Sequence, residues 1–294
     1  MAEIDNDSRP AHGGTQLREL IADGLVIAPG CYDALSALLV ERAGFSAAYL
    51  SGFALSASSL GAPDLGLISL DDVVDAVRRL TAVLSIPLIA DIDTGFGGPL
   101  NIRRTVVEVE AAGAAAVQIE DQVSPKRCGH FEDKSIVDID EAVTRVAIAA
   151  AARRRPDTVL IARTDAVAVA GLDAAIDRAR RFRAAGADVL FVEAIESIDQ
   201  LERLGAELDG APLLYNAVEG GRSPILPPDV LAGCGVRILI HPVTLLLESI
   251  NVQQTALAEL RAGRSGSHES IALAREVVGV DQAIAFHNGA SKLA

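Results

Sequence analysis

"IPLIADID", residues 86–93, is apolar from Ile86 to Ala90 and closes on two carboxylates, Asp91 and Asp93. A strand that is apolar on both faces is covered on both faces, as in a parallel sheet. Seven further stretches share this design: "LVIAPG" (25–30), "AAYLSG" (47–52), "AAVQIED" (115–121), "TVLIARTD" (158–165), "DVLFVEA" (188–194), "PLLYNAVEG" (212–220) and "RILIHP" (237–242). Helical patterns separate them. "SLDDVVDAVRRLTAVL" (69–84) starts with a Ser cap and an acidic first turn. Gly44, Gly113 and Gly186 each stand where a helix ends and the next strand begins. Eight βα units in roughly 250 residues predict an α/β fold, a (β/α)8 TIM-type barrel. The alternative, a doubly wound open sheet, calls for a glycine-rich phosphate turn after the first strand. "PGCYDA" (29–34) is not one.

The barrel is expected over residues 17–263, after a disordered polar arm (1–16) and before a helical extension (264–294). Half of the 294 residues are apolar but only 3% are aromatic, so the core must be built from Ala, Val, Leu and Ile. A formal net charge of −14 argues against nucleic acid or an anionic membrane as partner. It leaves room for a small anionic substrate in a locally basic or metal-holding pocket. No apolar stretch approaches the ~18 residues of a membrane span. The first residues lack the pattern of a signal peptide, and three scattered cysteines make no disulfide framework. The expected compartment is the cytoplasm. Arg153–Arg155, just before Pro156, reads as a solvated helix end.

In such a barrel chemistry gathers at the C-terminal strand ends. Those ends carry Tyr49, Ser51 and Gly52; Asp91 and Asp93; Gln118, Glu120 and Asp121; Arg163 and Asp165; Glu193; Asn216 and Glu219; and His241. Spacing of i, i+2 puts Asp91 and Asp93 on one face of their strand. Glu120 can join them from the next strand, and Asp64 of "GAPDLG" from a loop above. Either aspartate alone could instead cap a helix. Four carboxylates together call for a cation, and an all-oxygen set favours Mg2+, with Mn2+ as a substitute. "DTGFGG" (93–98) lacks the Lys-Ser/Thr of a P-loop and reads as a tight turn.

"SPKRCGH" (124–130) follows the fourth strand onto a loop over the mouth. Lys126, Arg127 and His130 favour the thiolate of Cys128 and bring its pKa towards neutrality, where it can serve as a general acid or base. Gly129 gives the loop freedom to close. Zinc or redox roles lack partner ligands nearby, and Cys31 and Cys234 sit among residues that suggest packing. Of the five histidines, His130 and His241 fall at the mouth, and His12, His268 and His287 at the surface.

"DIDTGFGG", "QIEDQ", "KRCGH", "IARTDA" and "NAVEGG", in this order, resemble the isocitrate lyase/phosphoenolpyruvate mutase superfamily, over roughly residues 17–260. "KRCGH" matches the signature of its carbon–carbon lyase branch. The resemblance implies Mg2+ held mainly by Asp91, with Asp64, Asp93 and Glu120 acting through water. It implies retro-aldol cleavage of a 2-hydroxy di- or tricarboxylate to pyruvate or another 2-oxo acid, with Cys128 protonating the carbanion. It further implies a homotetramer, a dimer of dimers in which the last barrel helix is exchanged. Within that scheme Tyr49 handles the hydroxyl proton, and Lys126 and His130 tune Cys128. Ser51 and Gly52 N–H groups hold the forming oxo acid, Arg163 clamps a carboxylate, and Phe53, Glu193, Asn216 and Gly129 complete the substrate surround. Val218, Gly220, Gln118 and Phe53 depart from the methylisocitrate lyase pattern, and "VEGG" is closer to dimethylmalate and 2-alkylmalate lyases. The expected substrate is therefore a 2-hydroxy dicarboxylate such as 2,3-dimethylmalate, with 2-methylisocitrate as the other choice. Oxaloacetate hydrolases or decarboxylases and phosphonomutases of the same superfamily are the rival readings. Pro242 lacks the hydroxyl of the first, and the lyase cysteine argues against the last.

Overall fold

The computed structural model describes residues 13–126, 134–264 and 271–290. Eight parallel strands close into a barrel in chain order: β1 (Val26–Cys31), β2 (Ala48–Leu50), β3 (Leu88–Asp91), β4 (Ala116–Glu120), β5 (Val159–Thr164), β6 (Val189–Val192), β7 (Leu213–Asn216) and β8 (Val236–His241). The barrel expected from the eight apolar runs is the fold observed.

Helix α1 (Gly13–Asp23) precedes β1, and α2 (Ala34–Arg42) follows it. After β2 come a short α3 (Gly52–Leu55), a π-helical turn (Ser56–Leu60) and α4 (Leu70–Thr81). Around the rest of the barrel run α5 (Pro99–Ala111), α6 (Ile139–Ala152), α7 (Ala166–Ala170), α8 (Leu172–Ala184), α9 (Ile198–Glu207) and α10 (Pro228–Gly233). Helices α11 (Thr244–Arg261), α12 (Ile271–Val277) and α13 (Val280–Ala290) end the chain. The chain divides into two compact units, Met1–Leu245 and Leu246–Ala294. Among the described residues no helix is long and apolar enough to cross a membrane.

Alternation along each strand divides the core in two. Ala28, Ile89, Ala116, Ile161, Phe191, Leu214 and Ile240 pack with Tyr49 in one cluster, inside the barrel. Their neighbours Leu50, Leu88, Val117, Leu160 and Leu190 pack with the helices in the other. Helix α4 shows how the outer layer is specified. Ser69 Oγ accepts from Asp72 N at 3.3 Å while Asp72 Oδ2 accepts from Ser69 N at 2.8 Å, a capping box. Leu70, Val73, Val77 and Leu80 then fall on one buried face. Each such side chain contributes about 1.5–3 kcal/mol on burial, so Val77→Asp would detach the helix. At the end of α8, Gly186 has φ +107°, and a Cβ there would lie 2.8 Å from Ala150 Cβ. Only glycine turns the chain into β6 at that point.

Two sequence expectations change at the N-terminal end of the barrel. Helix α1 begins at Gly13, inside the stretch read as a polar arm, because Thr15 N binds Asp157 Oδ2 at 3.2 Å and Leu17 is fully buried. Arg153 is not a solvated helix end. Its Nη1 lies 2.6 Å from Asp188 Oδ2, which also receives Arg18 Nη2 at 3.0 Å. An arginine at an α6 terminus can reach a carboxylate 35 residues on because the barrel brings β5 and β6 together.

Candidate active site

The parallel register brings polar strand ends side by side. Asp91 is paired with Gln118 across β3 and β4, and Glu120 with Arg163 across β4 and β5. Past β3 the chain turns sharply: Asp93, Gly95, Phe96 and Gly97 all have positive φ. A Cβ on Gly95 would meet Ile102 Cγ1 at 2.6 Å, so the turn packs flat on α5. This is the tight turn read in "DTGFGG". It aims Asp93 back at Asp91, whose Oδ1 accepts from Asp93 N at 3.1 Å. Neither aspartate caps a helix: α4 is capped by Ser69, and α5 has Gly98 at its cap with no side-chain bond.

Asp64, Asp93 and Glu120 are buried, whereas Asp91 keeps partial exposure at the open end. A methyl placed on Gly52 would stand 3.3 Å from Asp93 Oδ1, 3.4 Å from Asp91 Oδ2 and 3.7 Å from Lys126 Nζ. These charged groups therefore ring one small space that a side chain would fill. Burial pushes the Asp93 carboxyl up to about 7; the Lys126 charge opposes this and the Asp91 and Asp64 carboxylates add to it. Burial likewise raises Asp91 and Glu120 above the usual carboxylate range, against the pull of Lys126 and Arg163.

Lys126 lies inside this cluster, with Nζ 2.5 Å from Asp64 Oδ1 and 3.0 Å from Asp93 Oδ1. Burial alone would discharge it, but Asp93, Asp64, Glu120 and Asp91 outweigh that and hold it firmly protonated. Arg163 is also ringed by carboxylates. Its Nε and Nη2 bind Asp165 at 2.9 and 3.0 Å, and it lies 3.4 Å from Glu120 and 3.5 Å from Glu193, over the Phe191 ring. The fork expected for a substrate carboxylate is thus already filled by Asp165. Asn216 Nδ2 donates to Glu193 Oε2 at 3.1 Å. Lys134 Nζ, also buried, binds Asp165 Oδ1 at 2.7 Å.

Tyr49 OH donates to Gln118 Oε1 at 3.2 Å. Burial raises its phenol well above the ordinary value, and the Asp91 charge raises it further. Ionising it to take a hydroxyl proton runs against both effects, so Tyr49 stands in the mouth as a protonated donor. Ser51 caps α3, its Oγ accepting from Ala54 N at 3.3 Å; Gly52 and the half-buried Phe53 open the helix. Cys128, Gly129 and His130 lie outside the described residues, as do Arg127, His12 and His268. His241 is half-buried at the end of β8 and His287 is exposed. Cys31 is fully buried, and Cys234 packs partly buried against the outer core.

The donor set fits a divalent cation. Among the described residues, Asp64, Asp91, Asp93, Glu120, Asp165 and Glu193 face three cations, Lys126, Lys134 and Arg163. Glu120 Oε1 is buried with no hydrogen-bond partner among the described residues. Among the described residues no three carboxylate, His or Cys side chains already form a closed cage. A cation here would take one or two carboxylates directly and reach the rest through water, the habit of Mg2+. The sequence puts Asp165 at a strand end without giving it a role, and it leaves Lys134 unmarked. The i, i+2 spacing of Arg163 and Asp165 is the signal that could have found the first; nothing local marks the second.

A family model described as phosphoenolpyruvate phosphomutase matches residues 17–261. The chain belongs to the phosphoenolpyruvate mutase/isocitrate lyase superfamily. This superfamily member is 44% identical to a 2-methylisocitrate lyase of Aeropyrum pernix, over 84% of this chain and 79% of the relative. It is 40% identical to a 2,3-dimethylmalate lyase of Eubacterium barkeri, over 83% of each. Among solved structures, oxaloacetate acetylhydrolase bound to 3,3-difluorooxalacetate superposes with a TM-score of 0.91 at 38% identity, over 95% of this chain and 97% of that one. A phosphonopyruvate hydrolase complex with oxalate and Mg2+ superposes with a TM-score of 0.82 at 30% identity, over 93% and 97%. This superfamily member is an enzyme, a carbon–carbon lyase of the oxo-acid-lyase type.

Proposed function

We propose that the enzyme cleaves a 2-hydroxy dicarboxylate of the 2-alkylmalate or 2,3-dimethylmalate type between C2 and C3, giving pyruvate or another 2-oxo acid and a carboxylic acid. The observation that carries this reading is the pair of carboxylates, Asp91 and Asp93, that face the space beside Gly52 together with Lys126, next to the Arg163 guanidinium, Glu120 and the start of a helix. The lyase relatives support the reaction class, and the oxalate and Mg2+ of the phosphonopyruvate hydrolase support a small carboxylate beside a divalent ion.

Asp91, the partly exposed carboxylate, would hold Mg2+ directly, with Asp64, Asp93 and Glu120 through water. When bound, the ion polarises the C2 oxygen and its carboxylate. The Ser51 and Gly52 N–H groups hold the oxygen that becomes the carbonyl. Arg163, committed to Asp165 through Nε and Nη2, offers its Nη1 to a substrate carboxylate, and Asn216 and Glu193 fix that end of the mouth. Glu120, whose Oε1 has no hydrogen-bond partner among the described residues, is better placed than Tyr49 to receive the C2 hydroxyl proton. The C2–C3 electron pair passes to C3, stabilised by the neighbouring carboxylate, and Cys128 protonates it. Lys126 and His130, each two residues from Cys128 in sequence, are the groups proposed to tune that thiol. Gln118 and Val218 offer no cation for a third carboxylate, which favours a dicarboxylate over 2-methylisocitrate.

Hydrolysis of oxaloacetate is a second reading, favoured by the closeness of fold to the acetylhydrolase. Pro242, after His241, provides no hydroxyl to assist it. The enzyme is further proposed to act as a homotetramer that exchanges its last barrel helix. The exposed Leu257, Ile271 and Phe286 on α11–α13 support this. Chelation with EDTA tests the function: pyruvate release from 2,3-dimethylmalate should stop and return with Mg2+ or Mn2+. Undiminished release by thoroughly metal-free enzyme would refute it.

A further inference from the structure

Lys126 holds the position that invites one more question. A buried ammonium is an expensive group, and it is kept here by two carboxylates of the cluster, Asp64 and Asp93, rather than by solvent. Those are two of the groups through which a divalent ion would be held. A cation pair in one small space repels strongly. Even at the dielectric constant of water, a divalent ion and an ammonium about 5 Å apart repel by enough to cost more than tenfold in affinity.

We propose that Lys126 is a resident counter-cation of this site: it neutralises the carboxylates when no divalent ion is bound, and it must give up its ion pairs when one arrives. The inference rests on the divalent-ion reading above and deepens it. Without the lysine, Asp64 and Asp93 would be buried and uncompensated in the metal-free enzyme. With it, the metal-free fold is stable, at the expense of weaker metal binding.

The displaced ammonium has somewhere to go. Beside the cluster lies a cavity of about 450 Å³, on whose wall Lys126 and Asp93 already stand. Ser69, Asn101 and Ser124 line it, together with Asp71 and the Arg104 that pairs with it at 3.7 Å. An ammonium on a four-carbon stem can swing into that space and keep hydrogen-bond acceptors. Lys126 is in this sense a positioning residue for the metal.

Replacement tests this directly. Lys126→Met keeps an unbranched side chain one atom shorter and removes its charge, and Lys126→Arg keeps the charge. Mn2+ binding to the full-length enzyme is read from the free-ion electron paramagnetic resonance signal at pH 8.5, and melting temperature is measured with EDTA and with Mn2+. The methionine variant should bind Mn2+ at least tenfold more tightly than wild type, and the arginine variant no more tightly than wild type. In EDTA the methionine variant should melt below wild type, with Mn2+ restoring most of the difference. If it binds Mn2+ no more tightly than wild type, the counter-cation role is wrong while the metal site stands. If neither wild type nor variant binds Mn2+, the metal site itself fails and this role fails with it. If the methionine variant does not fold in EDTA, the same comparison is made on Lys126→Gln, with the same two outcomes deciding.

Discussion

Arg163 grips Asp165, two residues further along the same strand end, through both Nε and Nη2 at 2.9 and 3.0 Å. Asp165 in turn holds Lys134. Burial pushes the Asp165 carboxyl up, but the two cations outweigh it and hold the group well below the usual carboxylate range. The guanidinium is therefore fixed in place before any substrate arrives. Removing it would leave Asp165 to Lys134 and Glu193 to Asn216, and would take a positive charge from beside Glu120.

Arg163→Met should accordingly cost both stability and activity. Breaking a buried pair by removing one partner destabilises by about 3–5 kcal/mol, read by denaturant unfolding. Arg163→Lys should recover much of the stability but little of kcat/KM, since a point charge cannot replace the planar fork. Equal recovery of both would show that only the charge matters.

Metal binding should release protons. The Asp93 carboxyl is raised to about 7, so near pH 6 a proton must leave before an ion can be held. Apparent Mg2+ affinity should rise from pH 6 to pH 8 and flatten above. Calorimetry in two buffers of different ionisation enthalpy should find more protons released at pH 6.5 than at pH 8.5. The same raised group makes a favourable contribution to metal-free stability that is complete below the unfolded value near 4 and lost as pH rises through about 7. Chelated enzyme should thus gain stability from this group on going from pH 8 to pH 6.

The thiols should separate by reactivity. Burial pushes the Cys31 thiol up to about 12, so at pH 8 it carries almost no thiolate. Iodoacetamide should modify Cys128, with protection by saturating substrate, and spare Cys31. Cys128→Ser should lower kcat by ~10²–10⁴-fold, the usual worth of a general acid, whereas Cys31→Ser and Cys234→Ser should not change it. Near-wild-type kcat in Cys128→Ser would remove the thiol from the mechanism.

Light scattering should report a homotetramer. A stable, active monomer at micromolar concentration would contradict the exchange of helices, and would leave Ile271 and Phe286 as exposed in solution as they are in a single chain.

The fold was legible because parallel strands buried on both faces leave unbroken apolar runs such as residues 86–90, and helix ends carry local chemistry such as Ser69 and Gly186. The carboxylates gathered at the barrel mouth were legible for a related reason: a charge at the end of an apolar strand, like Asp91 or Glu120, has little structural excuse. The pairings were not. Lys126 reaches back 62 residues to Asp64 and 33 to Asp93, and Asp121 meets Arg178 57 residues on. Such contacts follow from barrel closure, and no local pattern announces them. The filled fork of Arg163 and the inward turn of Lys126 therefore had to come from the structure.

Cleavage of a hydroxy acid between carbons leaves products that separate it from hydrolysis of oxaloacetate, so product analysis decides between them. Metal-loaded enzyme is given 2,3-dimethylmalate, 2-methylisocitrate or oxaloacetate in separate reactions, and the products are followed by carbon-13 nuclear magnetic resonance. The account predicts pyruvate and a carboxylic acid from a hydroxy acid, fastest from the dicarboxylate, with little turnover of oxaloacetate. Oxalate and acetate from oxaloacetate, with both hydroxy acids left intact, would contradict it.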